Sequence, residues 1–152
     1  IGLIPCAVGG TPIRRWQQNG DLYKAELKRA KIAQKDGVIK GILWHQGESD
    51  SGKEVTAKIY EQQLHAMIAA WRKDLGNDSI PIVVGEMGRF YKRAKFKHVV
   101  DAALKALPSK VKHAAWVSAE GLNHKGDVVH FNATSYREFG KRYAAKMQAL
   151  IK

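Results

Sequence analysis

Three polar stretches of this 152-residue chain hold residue types that could do chemistry together. In Asp127-Val128-Val129-His130-Phe131 an acid stands three residues before a histidine. A carboxylate so placed can accept a hydrogen bond from one imidazole nitrogen, which fixes the tautomer and frees the other nitrogen as a general base. The same spacing also suits a helix-capping aspartate beside a surface histidine. In Trp44-His45-Gln46-Gly47-Glu48-Ser49-Asp50, Gln46 offers a neutral amide donor on a glycine turn, able to stabilise a developing oxyanion without titrating. Glu48 either orients that loop through backbone hydrogen bonds or acts as a general acid, and a polar loop that merely satisfies its own backbone fits both residues as well. Gly9 and Gly10 could present a backbone N–H to the same oxyanion.

Other chemistries fit poorly. No Lys-Ser or Lys-Thr pair follows Gly9-Gly10, so a phosphate-cradling loop is excluded. His124 and His130 flank Asp127 without a recognisable ligand set, so no metal is expected. Cys6 is the only cysteine, which rules out an internal disulfide, and its apolar surroundings read as packing rather than nucleophilic use. His65, His98 and His113 read as surface residues. Core packing suits all four tryptophans, although Trp16, Trp44 and the adjoining His45 lie beside the polar loops, where they could face a sugar ring.

These loops must be positioned by regular elements. Ile1–Val8 reads as a short apolar strand ending at Gly9-Gly10-Thr11-Pro12, and Trp16–Gly20 as loop. Asp21 to about Lys35 reads as a helix with a narrow face of Tyr23, Leu27 and Ala30. Val38–Trp44 is an apolar strand that turns abruptly polar. From about Glu54 to Leu75, Tyr60, Leu64, Met67, Ile68, Trp71 and Leu75 recur at helical spacing. Ser79–Glu86 is a third strand, about Phe96–Leu107 a helix followed by Pro108, and Ala114–Ser118 a fourth strand. Asn132–Ile151, with Tyr136, Phe139, Tyr143, Met147 and Leu150 along one face, is a last helix capped by Asn132 or Thr134. This alternation predicts one α/β domain over 1–152, a three-layer α/β/α sandwich on a parallel sheet. Such sheets gather the loops after their strands on one edge, which is where all three polar stretches fall.

Composition agrees with a globular domain, at 45% hydrophobic and 26% charged residues. No apolar run reaches membrane-spanning length. The formal net charge of +12 keeps nucleic acid among conceivable partners. However, the basic residues are scattered, densest only over Tyr91–His98, and no nucleic-acid motif accompanies them.

Taken together, the Pro5–Ile13 stretch, the Trp44–Asp50 run and the Asp127–Phe131 block resemble the SGNH-type hydrolases. The nearest branch is carbohydrate esterase family 6 with the sialate O-acetylesterase-like acetylesterases. The resemblance spans nearly the whole chain, and the Trp-His-Gln-Gly-Glu-Ser-Asp run is its most specific part. It implies a flavodoxin-like fold and deacetylation of O-acetylated carbohydrate, such as acetylxylan or sialate, through an acyl-serine intermediate. His130 would be the base, Asp127 its orienting partner, and Gln46 with a Gly9 or Gly10 N–H the oxyanion hole. Glu48 would hold the loop, and no cofactor would take part. A secreted or periplasmic setting would follow by analogy. The block that carries the family's nucleophilic serine is not found in this sequence. The chain is therefore expected to be the carboxyl-terminal part of the full domain, with its first strand missing and the serine supplied by an upstream segment or a partner chain. The alternative is a non-catalytic carbohydrate-binding or interaction domain derived from the same fold.

Overall fold

Three short, β-branched and aromatic runs form the sheet. In the computed structural model, which describes residues 1–151, β1 (Ile42–Trp44), β2 (Ile82–Gly85) and β3 (Ala114–Val117) pair in parallel in the order β1-β2-β3. Ile42, Ile82 and Ala114 stand in register, as do Trp44, Val84 and Trp116. All of β2 is buried, as expected of a central strand covered on both faces.

Register then decides what each face meets. Ile42, Trp44, Ile82 and Val84 turn toward α1 (Asp21–Ala33), α2 (Glu54–Asp74) and α3 (Lys97–Lys110), in the larger core with Tyr23, Tyr60, Leu64, Trp71 and Leu104. Val83 and Val117 turn the other way, against Phe139 and Tyr143 of α4 (Ala133–Leu150). The layers are therefore α/β/α, as the alternation of strands and helices predicts. At the starting edge of the sheet the buried Arg72 guanidinium donates to the carbonyls of Ile80, Lys112 and His113, tying the approaches to β2 and β3 together.

Three local expectations need correction. Ile1–Val8 is not a strand, because among the described residues nothing pairs with it; it is held by Arg29 Nη1 on the Pro5 carbonyl (2.8 Å) and Thr11 Oγ1 on the Val8 carbonyl (2.8 Å). Ile1 and Leu3 are exposed, and among the described residues nothing pairs with the outer edge of β1, where Leu43 is 57% exposed. Ile13–Trp16 forms one 3-10 turn, so Trp16 ends a helical turn and the expected loop begins one residue later. Pro108 lies inside α3 rather than ending it, since in the last turn its missing N–H removes only one intrahelical bond. Asn132 caps α4, its Oδ1 accepting from Ser135 N–H at 2.8 Å.

Candidate active site

The loop after β3 is built to present one imidazole. An antiparallel bridge between His124 and Phe131 closes it, Lys125 N–H donates to the His130 carbonyl, and Val128 takes a left-handed φ of +54° at the bend. Asp127 Oδ1 accepts from the N–H groups of Val129 (2.9 Å) and His130 (2.8 Å), while Oδ2 lies 2.6 Å from His130 Nδ1. Those bonds, the one from the imidazole foremost, hold the Asp127 carboxyl well below the usual carboxylate range. With Nδ1 engaged by a carboxylate, Nε2 is the free nitrogen, on a side chain 58% exposed. Asp127 therefore orients His130 and does not cap α4. Ser118 and Ser135, the serines flanking this loop, are committed elsewhere, to Glu86 and to Asn123 N–H.

The loop after β1 is braced from within. Gly47 is required there because a Cβ would sit 2.8 Å from Met87 Sδ and 3.0 Å from Val100 Cγ1. Asp50, 2% exposed, accepts from Ile13 N–H at 2.9 Å and from Gln46 Nε2 at 2.6 Å. Burial raises its carboxyl in spite of these donors. Tyr60 Oη donates to the Gln46 carbonyl at 3.0 Å. Gln46 Nε2 also donates to the Thr11 carbonyl at 3.0 Å, which brings the Gly9-Gly10 turn beside the central loop. Both amide hydrogens of Gln46 are thus used within the protein, and its buried Oε1 has no partner among the described residues. The Glu48 carboxylate faces His45 Nε2 at 3.8 Å within the loop, and the shorter bracing bonds are those of Asp50, two residues on. Sequence reasoning missed Asp50; the one available signal was an acid placed to fold back inside the Gly47 turn.

His45 joins the two loops. Its ring packs edge-on against Phe131 (5.8 Å between centroids) and Phe139 (5.4 Å), and Nδ1 lies 3.5 Å from Tyr143 Oη. Desolvation lowers its pKa against the opposing pull of Glu48 and Asp101. Tyr143 Oη donates to the Trp44 carbonyl at 2.9 Å, a contact that exists only because residue 85 is glycine: a Cβ there would lie 2.0 Å from that oxygen. Trp16 and Trp44 cannot face a sugar. They are 5% and 6% exposed, packed edge-on at 5.5 Å, with indole N–H groups bound to Thr11 Oγ1 and Tyr60 Oη. The exposed aromatic at this edge is Tyr136, in the first turn of α4, placed by helical spacing on the core face yet 50% exposed. Among the described residues no group of three or more His, Cys, Asp or Glu side chains could hold a metal ion.

A parallel α/β/α sheet with polar loops at its strand ends and a carboxylate-paired histidine ahead of its last helix has the fold of the SGNH-like esterases. The solved structures agree. A protein from Arabidopsis thaliana superposes with a TM-score of 0.92 at 31% identity, over 99% of this chain and 62% of that one. A carbohydrate acetylesterase from Xanthomonas citri matches at TM-score 0.78 and 20% identity, over 94% of this chain and 35% of that one. NanS matches at 0.73 and 18%, over 89% and 53%. The last two likenesses speak to fold alone.

The chain belongs to the family described as carbohydrate esterase, sialic acid-specific acetylesterase, whose model matches residues 1–149. A probable carbohydrate esterase of Arabidopsis thaliana is 34% identical over 142 residues, 92% of this chain. The chain spans about half of that relative's length, 52%.

Proposed function

We propose that this chain carries the base, its orienting acid and the oxyanion loops of a carbohydrate O-acetylesterase that works through an acyl-serine. The observation that carries the reading is the Asp127–His130 contact of 2.6 Å, which leaves Nε2 free at the sheet edge. His130 Nε2 takes the proton from a serine hydroxyl as its oxygen bonds to the acetyl carbonyl carbon. The positive imidazolium that results is stabilised by Asp127, already held as a carboxylate. A Gly9 or Gly10 N–H and one Gln46 amide hydrogen, exchanged from the Thr11 carbonyl, receive the oxyanion. Collapse breaks the ester C–O bond, and the sugar oxygen leaves with the His130 proton. Water, giving a proton to His130, then bonds to the acyl carbon; the acyl C–O bond to serine breaks, the serine oxygen takes the His130 proton, and acetate leaves. Acetylated xylan and acetylated sialate are the substrates the reading favours, by analogy with the family.

The serine comes from a segment or partner chain that packs along the open edge of β1. The unpaired strand edge, the exposed Leu43 and the commitments of Ser118 and Ser135 support that placement. Fluorophosphonate labelling with peptide mapping tests it, together with acetate release from acetylated xylan. Residues 1–152 alone should give no adduct. With the upstream segment restored, an adduct and acetate release should appear, and His130→Ala should abolish both. Acetate release that survives His130→Ala overturns the mechanism, and an adduct mapped within 1–152 overturns the external serine.

A further inference from the structure

Thirteen aromatic residues were available to this fold, and twelve of them are buried or half-buried. Tyr136 is the exception. It stands one turn into α4, its N–H bonded to the Asn132 carbonyl, so its backbone is fixed five residues beyond Phe131, where the His130 loop closes. Its ring rests edge-on against Phe131 at 5.5 Å, and Phe131 is itself clamped by Phe90 at 5.0 Å and Phe139 at 5.2 Å. An exposed phenol backed by three packed rings is rigid and costs little entropy to use. Its hydroxyl is weakened as an acid chiefly by burial of its inner part, and further by the carboxylates of Glu48 and Asp127. Phe131 also packs against His45 of the loop after β1 at 5.8 Å, so Tyr136 rests on the ring where the two loops meet.

We infer that Tyr136 is the sugar platform of this site: the C–H face of an acetylated pyranose lies on its ring, adjacent to His130. The inference rests on the esterase reading for its substrate class, and it adds the residue that grips the sugar. A pyranose offers one apolar face and a rim of hydroxyls, which suits an aromatic ring with an apolar body and a polar edge. The Glu48 carboxylate, 29% exposed, has only the 3.8 Å His45 contact, and it is available to accept from the rim hydroxyls. An aromatic placed for core packing would not be half open.

The test separates the platform from the chemistry. Saturation-transfer NMR on residues 1–152, irradiating aromatic protons with mono-O-acetylated methyl xyloside as probe, reads ring contact whether or not the ester is cleaved. Transfer to the sugar C–H protons should be clear for the unmodified chain and for Tyr136→Phe, and lost for Tyr136→Ala. In acetate release by the protein with its nucleophile, Tyr136→Ala should raise KM for the same sugar ester by about five- to tenfold, in line with one aromatic contact. Transfer without hydrolysis would refute the esterase reading and leave the platform standing. Hydrolysis without transfer, or transfer and KM unaltered by Tyr136→Ala, overturns the platform.

Discussion

Glu26 gives the sharpest test of how this fold treats a misplaced charge. The residue points inward from α1, beside Cys6, and its Oε2 is buried with no hydrogen-bond partner among the described residues. Burial pushes its carboxyl up to about 7 from an ordinary 4.5; the nearby Trp71 indole N–H offsets little of this, since it too makes no hydrogen bond. The folded pKa is the higher one, so the sign is definite. Below pH 4.5 both folded and unfolded chains hold the proton and nothing is lost. Between 4.5 and 7 the unfolded chain releases it while the folded one does not, and stability falls. A gap of about 2.5 pH units corresponds to about 3 kcal/mol, fully lost above pH 7.

Glu26→Gln removes the titration. The amide still leaves a buried oxygen unpaired, a handicap of about 1–3 kcal/mol that does not vary with pH. Urea unfolding of both proteins at pH 4.5, 6 and 8, at fixed salt, isolates the effect, because every other titrating group cancels in the difference. From pH 4.5 to 8 the original protein should lose about 3 kcal/mol relative to the variant. A change smaller than about 0.5 kcal/mol would refute the argument and place Glu26 in contact with water.

Two further substitutions probe the bracing of the site. Gly85→Ala should destabilise by about 3 kcal/mol, since its Cβ must displace the Tyr143 hydroxyl from the Trp44 carbonyl; adding Tyr143→Phe should restore part of the loss, and strict additivity in denaturant melts would contradict the clash. Asp50→Ala leaves the Ile13 N–H and one Gln46 amide hydrogen without their acceptor. A loss of about 2–4 kcal/mol is expected, with faster hydrogen exchange at Ile13 as the local signature.

What the sequence could and could not reveal follows from the range of each interaction. The pairing of Asp127 with His130 is local, three residues apart, and so is the capping of α4 by Asn132; both are legible in the chain. Helix spacing likewise gave α2 to within a residue, because its seven buried positions repeat along one face. Direction was harder. Trp44 adjoins the polar loop, yet strand alternation puts it on the same face as Ile42, under the helices. Tyr136 shares its stripe with Phe139 and Tyr143 but lies a turn beyond the sheet that covers them, so periodicity alone marks it as core. Glu48 and Asp50 both follow Gly47, and the turn that Asp50 N–H closes on the Gly47 carbonyl is what sends the Asp50 carboxylate inward to Ile13 N–H. Ile1–Val8 has the composition of a strand, but a strand needs a neighbour, and composition cannot supply one.

The Arg72 guanidinium also records the order in which the domain can close. Its acceptor at Ile80 is eight residues away, whereas those at Lys112 and His113 are 40 and 41 residues away. The near carbonyl becomes reachable once α2 turns into β2, at small loop-closure cost; the far ones exist only after α3 has crossed the sheet and β3 has docked. Until then part of a buried cation lacks its partners, which favours the finished three-strand register over any partial or slipped one. A single side chain at the edge remote from the chemistry thus links the folding sequence of the sheet to the alignment of the loops that its strands deliver.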